Sequence, residues 1–311
     1  MKSKRIFRAL VLLTLLLVLT SFGGPVAAQN YSFGVPDLKM QVYVQPDASV
    51  KIVYDITFEN YGSPIDIVDI GMPHSNYNIS TMSASINGVN LSDIRKSEYV
   101  NPGVEVHLSG QAIPRGSSGT LHFEFSMPDL VFQDTTNKEL ASLQITPTWF
   151  SSDFVRGTSN IQIAIHMLEG IQPDEMLYQD VPFTNKALYQ GRAVAVWQTQ
   201  EPATQAYRVG VSFPQRGMTR VIKMTFVQLV NKWLTDNPTA RFILGAVVMI
   251  MFAVLFFRFS GGTGLSVFAI LGGGILLLLF VSPISVLVAP VIVGVLIVLN
   301  ENSLKLVFRT L

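Results

Sequence analysis

Residues 40–58 read MQVYVQPDASVKIVYDITF, and their spacing decides the fold class. Apolar side chains recur at every second position: Met40, Val42 and Val44 before the break, then Val50, Ile52, Tyr54, Ile56 and Phe58 after it. A strand turns successive side chains to opposite faces, so this period of two places both sets on one buried face. The break, Pro46-Asp47-Ala48-Ser49, is built of turn-forming residues. The pattern predicts a pair of strands with one wet and one dry side.

The same alternation continues outward. Further strands are predicted at residues 65–72, 79–86, 104–108, 121–125, 161–167, 194–199 and 207–213. Turn signals at Asn60-Tyr61-Gly62-Ser63, Asn87-Gly88, Pro102-Gly103 and Pro114-Arg115-Gly116 separate the earlier ones. Short strands with frequent turns and no long helix predict a mainly β region over residues 29–217, an antiparallel Ig-like β-sandwich or two of them. If there are two, the split falls near residues 133–140, where alternation lapses into Asp134-Thr135-Thr136-Asn137-Lys138-Glu139. From Met218 the period changes. Met218, Ile222, Phe226, Leu229 and Trp233 share one side at 100° per residue, so residues 218–236 are expected to form an amphipathic juxtamembrane helix. A last strand through Val221 to Val227 is the competing expectation.

Both ends carry hydrophobic runs. Lys2, Lys4, Arg5 and Arg8 precede an apolar run from Ala9 to Phe22, and Val26-Ala27-Ala28 offers small residues for cleavage, so residues 1–28 are expected to be a signal peptide. Asn237-Pro238 opens a run reaching Phe257, about 20 residues or ~30 Å of helix, enough for one span at 238–257. Leu265 to Leu299 would reach ~52 Å as one helix, so it is expected to turn at Ser282-Pro283 into spans at 265–281 and 284–299. Three spans put Arg258, Lys305 and Arg309 on the cytoplasmic side, with residues 300–311 as a short tail. No ionisable residue interrupts 242–257 or 265–299, which favours an anchor over a transport path. The pairs Ala269 with Gly273 and Ser285 with Ala289 are candidates for helix packing. The expected location is therefore the cell membrane, multi-pass, with the β region extracytoplasmic and the lipid bilayer as one partner.

Composition narrows the chemistry. A formal net charge of +1 gives no basic field for nucleic acid. With no cysteine, disulfides, thiolate metal sites and cysteine nucleophiles are excluded. His74, His107, His122 and His166 are scattered without metal-ligand spacing, and His107 and His122 are read as sheet-surface residues. Asp66 and Asp69 are read as solvated sheet-edge carboxylates, lacking the alternating oxygens of a calcium loop. There is no nucleophile elbow, P-loop or dinucleotide fingerprint. No catalytic residue, metal ligand or cofactor is assigned.

The candidate interaction residues are Trp149 and Phe150 of Thr146-Pro147-Thr148-Trp149-Phe150, with Phe154 and Arg156 just beyond. Aromatics beside an arginine suit a protein-binding or glycan-stacking loop. Against this, a sandwich end needs closing, so at least one of Trp149 and Phe150 is expected to plug it. Thr146 to Phe150, the run His166-Met167-Leu168-Glu169-Gly170-Ile171-Gln172-Pro173-Asp174-Glu175, and Val211-Ser212-Phe213-Pro214 resemble a family of uncharacterised bacterial membrane proteins. That resemblance, covering about residues 147–214, implies a signal peptide, an outer β domain and C-terminal spans, and carries no catalytic motif. Some members have a cysteine-rich cytoplasmic tail, from which this chain departs. The expected function is a non-enzymatic surface protein that binds a protein or glycan, or a subunit of a membrane-protein complex. The alternative is a membrane-tethered hydrolase.

Overall fold

The computed structural model describes residues 30–259. The expected signal peptide at 1–28, the spans at 265–281 and 284–299, the tail at 300–311 and the packing residues Ala269, Gly273, Ser285 and Ala289 lie outside the described residues. The chain divides into two compact units, with the boundary between Ile222 and Lys223.

The first unit is β. Its strands in chain order are β1 (Phe33–Val44), β2 (Val50–Asn60), β3 (Ile67–Gly71), β4 (Ser83–Ile86), β5 (Val89–Leu91), β6 (Ile94–Lys96), β7 (Gly103–His107) and β8 (Ser118–Met127). There follow β9 (Val131–Gln133), β10 (Leu140–Ile145), β11 (Val155–Arg156), β12 (Ser159–Glu169), β13 (Leu177–Gln179), β14 (Asn185–Tyr189), β15 (Arg192–Glu201) and β16 (Val209–Pro214). The largest sheet runs β14-β15-β12-β1-β2-β8-β4-β5, with β11 also pairing β1. A second sheet runs β13-β16-β10-β9 and a third β3-β7-β6.

The hairpin at residues 40–58 forms as the alternation requires. Met40 pairs Tyr54 and Val42 pairs Ile52. Met40, Val42, Val44, Val50, Ile52, Tyr54, Ile56 and Phe58 are all buried. At the turn Ala48 takes φ 70, and the Asp47 carboxylate accepts from the Ser49 N–H and hydroxyl. Those bonds hold its pKa below the usual carboxylate range. Buried residues from all three sheets join one cluster, each large side chain contributing roughly 1.5 to 3 kcal/mol by leaving water. Trp197 is fully buried within it, and its indole N–H reaches the Val181 carbonyl at 3.0 Å.

The expected mainly β class is found, but the sheet is mixed where antiparallel pairing was expected. β1 pairs β12 in parallel over seven residue pairs, from Asp37↔Asn160 to Tyr43↔His166. Alternation reports which side is buried and says nothing of strand direction, and a parallel pair needs a long crossover. Here residues 45–158 supply it, and the third sheet and β9–β10 are built within it. Residues 133–140 form the turn of the β9–β10 hairpin, where Asp134 Oδ1 accepts from the N–H groups of Thr136 and Asn137.

Residues 218–236 divide between the two expectations. Met218, Val221 and Ile222 pack on the β core. Ile222 makes one parallel bridge to β9, its N–H donating to the Val131 carbonyl at 2.9 Å. The helix α1 starts only at Phe226 and runs Phe226–Asp236. Thr225 caps it, with Gln228 reaching back to the Thr225 N–H at 2.8 Å, so two exposed donors are satisfied at once. Within the second unit, α2 follows over Pro238–Phe259. Among the described residues no helix is long and apolar enough to cross a membrane. Helix α2 covers the residues of the expected span at 238–257.

Candidate functional site

The rim of the β unit is assembled from the segment after β10. Thr148 is buried; its N–H donates to the Tyr54 hydroxyl at 3.0 Å, and its hydroxyl accepts from the Gly71 N–H at 3.2 Å. The first bond satisfies a phenol held in the core, where burial keeps Tyr54 protonated far above its ordinary pKa. The Phe150 N–H donates to the Ala203 carbonyl at 2.8 Å. With the backbone pinned on both sides, neighbouring side chains must diverge. Phe150 turns inward and meets Phe33 and Phe58 edge-on, ring centroids 5.8 and 5.6 Å away. Trp149 turns outward and is 52% exposed.

Phe154 stands 40% exposed, edge-on to Tyr31 at 6.3 Å, and its carbonyl accepts from the Phe33 N–H. Trp149, Phe150 and Phe154 thus border one groove of about 510 Å³. Arg156 does not line it: its guanidinium donates to the carbonyls of Ser152, Asp153 and Val155 and braces the loop.

The far wall was not anticipated from sequence. It comes from β3, β7 and the loop between β6 and β7, through Ile67, Asp69, Tyr99 and Glu105. Asp69 and Glu105 are direct cross-strand partners, so their side chains leave the small sheet on the same face. Glu105 is only 8% exposed and lies 2.8 Å from the His107 imidazole. The Ser97 hydroxyl donates to Asp69 and accepts from the N–H groups of Tyr99 and Val100, which fixes the loop carrying the exposed Tyr99. Beside them the Tyr31 hydroxyl donates to Asp66 at 2.8 Å. Burial, that bond and the Asp66 charge push the Tyr31 phenol up to about 12. Asp66 and Asp69 therefore lie at a sheet edge as expected, but half-buried and hydrogen-bonded where solvated carboxylates were expected. Among the described residues the groove's lining includes Asp69 and Glu105 and no lysine, arginine or histidine. A lone glutamate at position 105 between Val104 and Val106 was the one visible signal, and the register that pairs it with Asp69 was not.

The other histidines stand apart from one another. His74 bonds the Pro128 carbonyl, His122 sits between Asp55 and Glu124, and His166 stacks on Tyr43 with its ring N 2.6 Å from Gln41. Among the described residues no group of three or more His, Asp or Glu could hold a metal ion. A second, wider concavity of about 910 Å³ lies along residues 174–186, where Lys186 stands 5.7 Å over the Phe183 ring.

Comparison with known proteins adds little to this geometry. No protein family matches the chain, and no curated protein does. Among solved structures, it is similar to the M1 zinc metallopeptidase of Deinococcus radiodurans, with 13% identity and a TM-score of 0.38 over 59% of this chain and 42% of that one. A mutant two-domain M1 zinc metallopeptidase bound to L-tryptophan aligns at 12% identity and TM-score 0.38, over 59% of this chain and 43% of its own. The aligned part spans less than half of either enzyme, and a likeness at this level carries no argument about activity.

Proposed function

We propose that this is a non-enzymatic, membrane-anchored binding protein whose β unit stands outside the cytoplasm and engages a macromolecular ligand through the groove at Trp149. The observation that carries this reading is the divergence of adjacent aromatics. Phe150 closes the core, while Trp149 is held in solvent by a backbone that hydrogen-bonds on both sides of it. An exposed, pre-positioned aromatic adds contact area at small entropic cost, which is how interface anchors act. Anchorage is supported by the apolar sequences at 238–257, 265–281 and 284–299 and by the export-like residues 1–28.

Two measurements test it. Protease added to intact spheroplasts should degrade residues 29–233 and spare a tag placed after Leu311; loss of that tag overturns the three-span topology. For binding, a photo-crosslinking amino acid at position 149 should give a discrete adduct in cells, and one at position 51, on the opposite side of the large sheet, should not. Absence of an adduct from 149, or equal adducts from both positions, overturns the groove as the binding site.

A further inference from the structure

We infer that the ligand of this groove is an extended segment of a partner polypeptide, and that the groove reads an arginine or lysine side chain on it. The inference rests on the binding reading above and names its chemistry.

Charge comes first. Asp69 and Glu105 both line the groove, adjacent on one sheet face, and among the described residues its lining contains no lysine, arginine or histidine. Arg95, the cross-strand partner of Glu105 on β6, feels the Glu105 charge but spends its guanidinium hydrogen bonds on Asp93, two of 2.7 Å. His107 reaches one Glu105 oxygen. A cation entering the groove would meet Asp69 and Glu105 together on one face, the latter only 8% exposed and so little screened by water.

The walls agree with the floor. Tyr99 is 86% exposed, Trp149 52% and Phe154 40%, and together with Tyr31 they border the two carboxylates. The face of an aromatic ring attracts a cation, and arginine stacks on such faces while its N–H groups reach carboxylate oxygens. A sugar would also stack, but its hydroxyls need donors as well as acceptors. The Tyr99 and Ser151 hydroxyls and the Trp149 indole can donate to it, but a neutral sugar leaves the charge of Asp69 and Glu105 unbalanced. The balance favours a donor-rich, positively charged ligand.

The backbone identifies the ligand as a chain. β3 is the edge of its sheet. Bonds from Leu108 N–H to the Asp66 carbonyl and from Met72 N–H to the Pro102 carbonyl show that the even-numbered residues face β7. By the alternation of antiparallel ladders, Ile67, Asp69 and Gly71 turn their N–H and C=O groups to the free edge. Gly71 N–H is met by Thr148. Ile67 and Asp69, both lining the groove, present theirs where an added strand would pair.

The test uses the full chain in detergent micelles on two arrays. One holds pentapeptides with randomised flanks and a central arginine, lysine, citrulline, glutamine or glutamate; the other holds glycans. Retention on arginine and lysine peptides should exceed that on citrulline and glutamine peptides by about tenfold or more and weaken with salt. Glu105→Gln, checked for unchanged melting, should remove most of that preference, and Asp69→Asn should reduce it further. If Asp69→Asn fails to fold, Glu105→Gln and the salt dependence still decide. Equal retention of arginine and citrulline peptides overturns the cation reading. Equal competition by N-acetylarginine methylamide and by the arginine pentapeptides overturns the added strand. Retention on glycans alone, lost in Trp149→Ala, sinks this inference and leaves the binding reading standing. No Trp149-dependent retention on either array sinks both.

Discussion

The β1–β2 hairpin and the rim segment 146–156 are built from similar residues and obey different logic. In the hairpin buried side chains pair across one turn: Met40 faces Tyr54, Val42 faces Ile52 and Val44 faces Val50. In the rim, Thr148 bonds Tyr54 at a separation of 94 residues and Gly71 at 77, and Phe150 closes on Phe33 and Phe58. Local alternation determines which residues leave water in the first case. In the second, two adjacent aromatics take opposite fates because distant strands pin the backbone between them.

The largest effect is expected in the hairpin. Ile52→Ala or Phe58→Ala removes a side chain that is at most 1% exposed, and should cost about 2 to 5 kcal/mol in chemical denaturation. Lys51→Ala, next to Ile52 but on the wet face, loses a half-exposed ion pair with Glu124 and should cost less than about 1 kcal/mol. Equal costs at all three positions would break the claim that parity alone sorts this strand. Next comes the rim. Phe150→Ala should cost about 2 to 3 kcal/mol, less than a fully buried phenylalanine because its ring is only partly covered. Trp149→Ala should change melting by less than about 1 kcal/mol. A large loss at Trp149 would make it a second plug and erase the difference on which the binding reading stands.

The hairpin was legible because its information is periodic and close in sequence. β14 was not anticipated because Asn185–Tyr189 is exposed along its length and carries no buried stripe, whereas β10 alternates cleanly over Leu140–Ile145 and was legible. The parallel β1–β12 pair was hidden for a different reason, since strand direction leaves no mark on alternation. Of the groove, Trp149, Phe150 and Phe154 stood out by residue type, and Arg156 did so misleadingly, because its guanidinium braces the loop. Asp69, Tyr99 and Glu105 needed the register of β3 on β7, which no local feature states. The start of α1 was legible and overlooked, because Thr225 and Gln228 stand at capping-box spacing. Thr225→Ala should therefore cost about 1 kcal/mol of helix stability, visible as increased amide exchange over residues 226–229, and unchanged exchange would mean that the cap contributes nothing.

The smallest effect contrasts two histidines on the outer face of the large sheet. Burial alone would depress the His122 imidazole, but hydrogen bonds to Asp55 and Glu124 outweigh it and hold its pKa above the ordinary value. A raised folded pKa means that the charged ring's contribution is complete below the unfolded value of about 6.5 and fades as pH rises through the folded one. Its neighbour Glu124 is held low, first by the Lys51 hydrogen bond, so that contribution is present above the ordinary glutamate value and fades on acidification. Glu124 and His122 are thus both mostly charged between about pH 4.5 and 6.5. His166 behaves oppositely. Burial and then Arg192 depress it, so the folded state resists the proton that the unfolded chain accepts, and stability falls as pH drops below about 6.5. His122→Gln should therefore lower melting at pH 6 more than at pH 8.5, by well under about 1 kcal/mol because the ring is 41% exposed and screened. His166→Gln should flatten the acid side of the wild-type curve. Parallel shifts in the two variants would mean that the outer face titrates as one surface, and that the cover over His166 by Tyr43 and Tyr189 sets no separate environment.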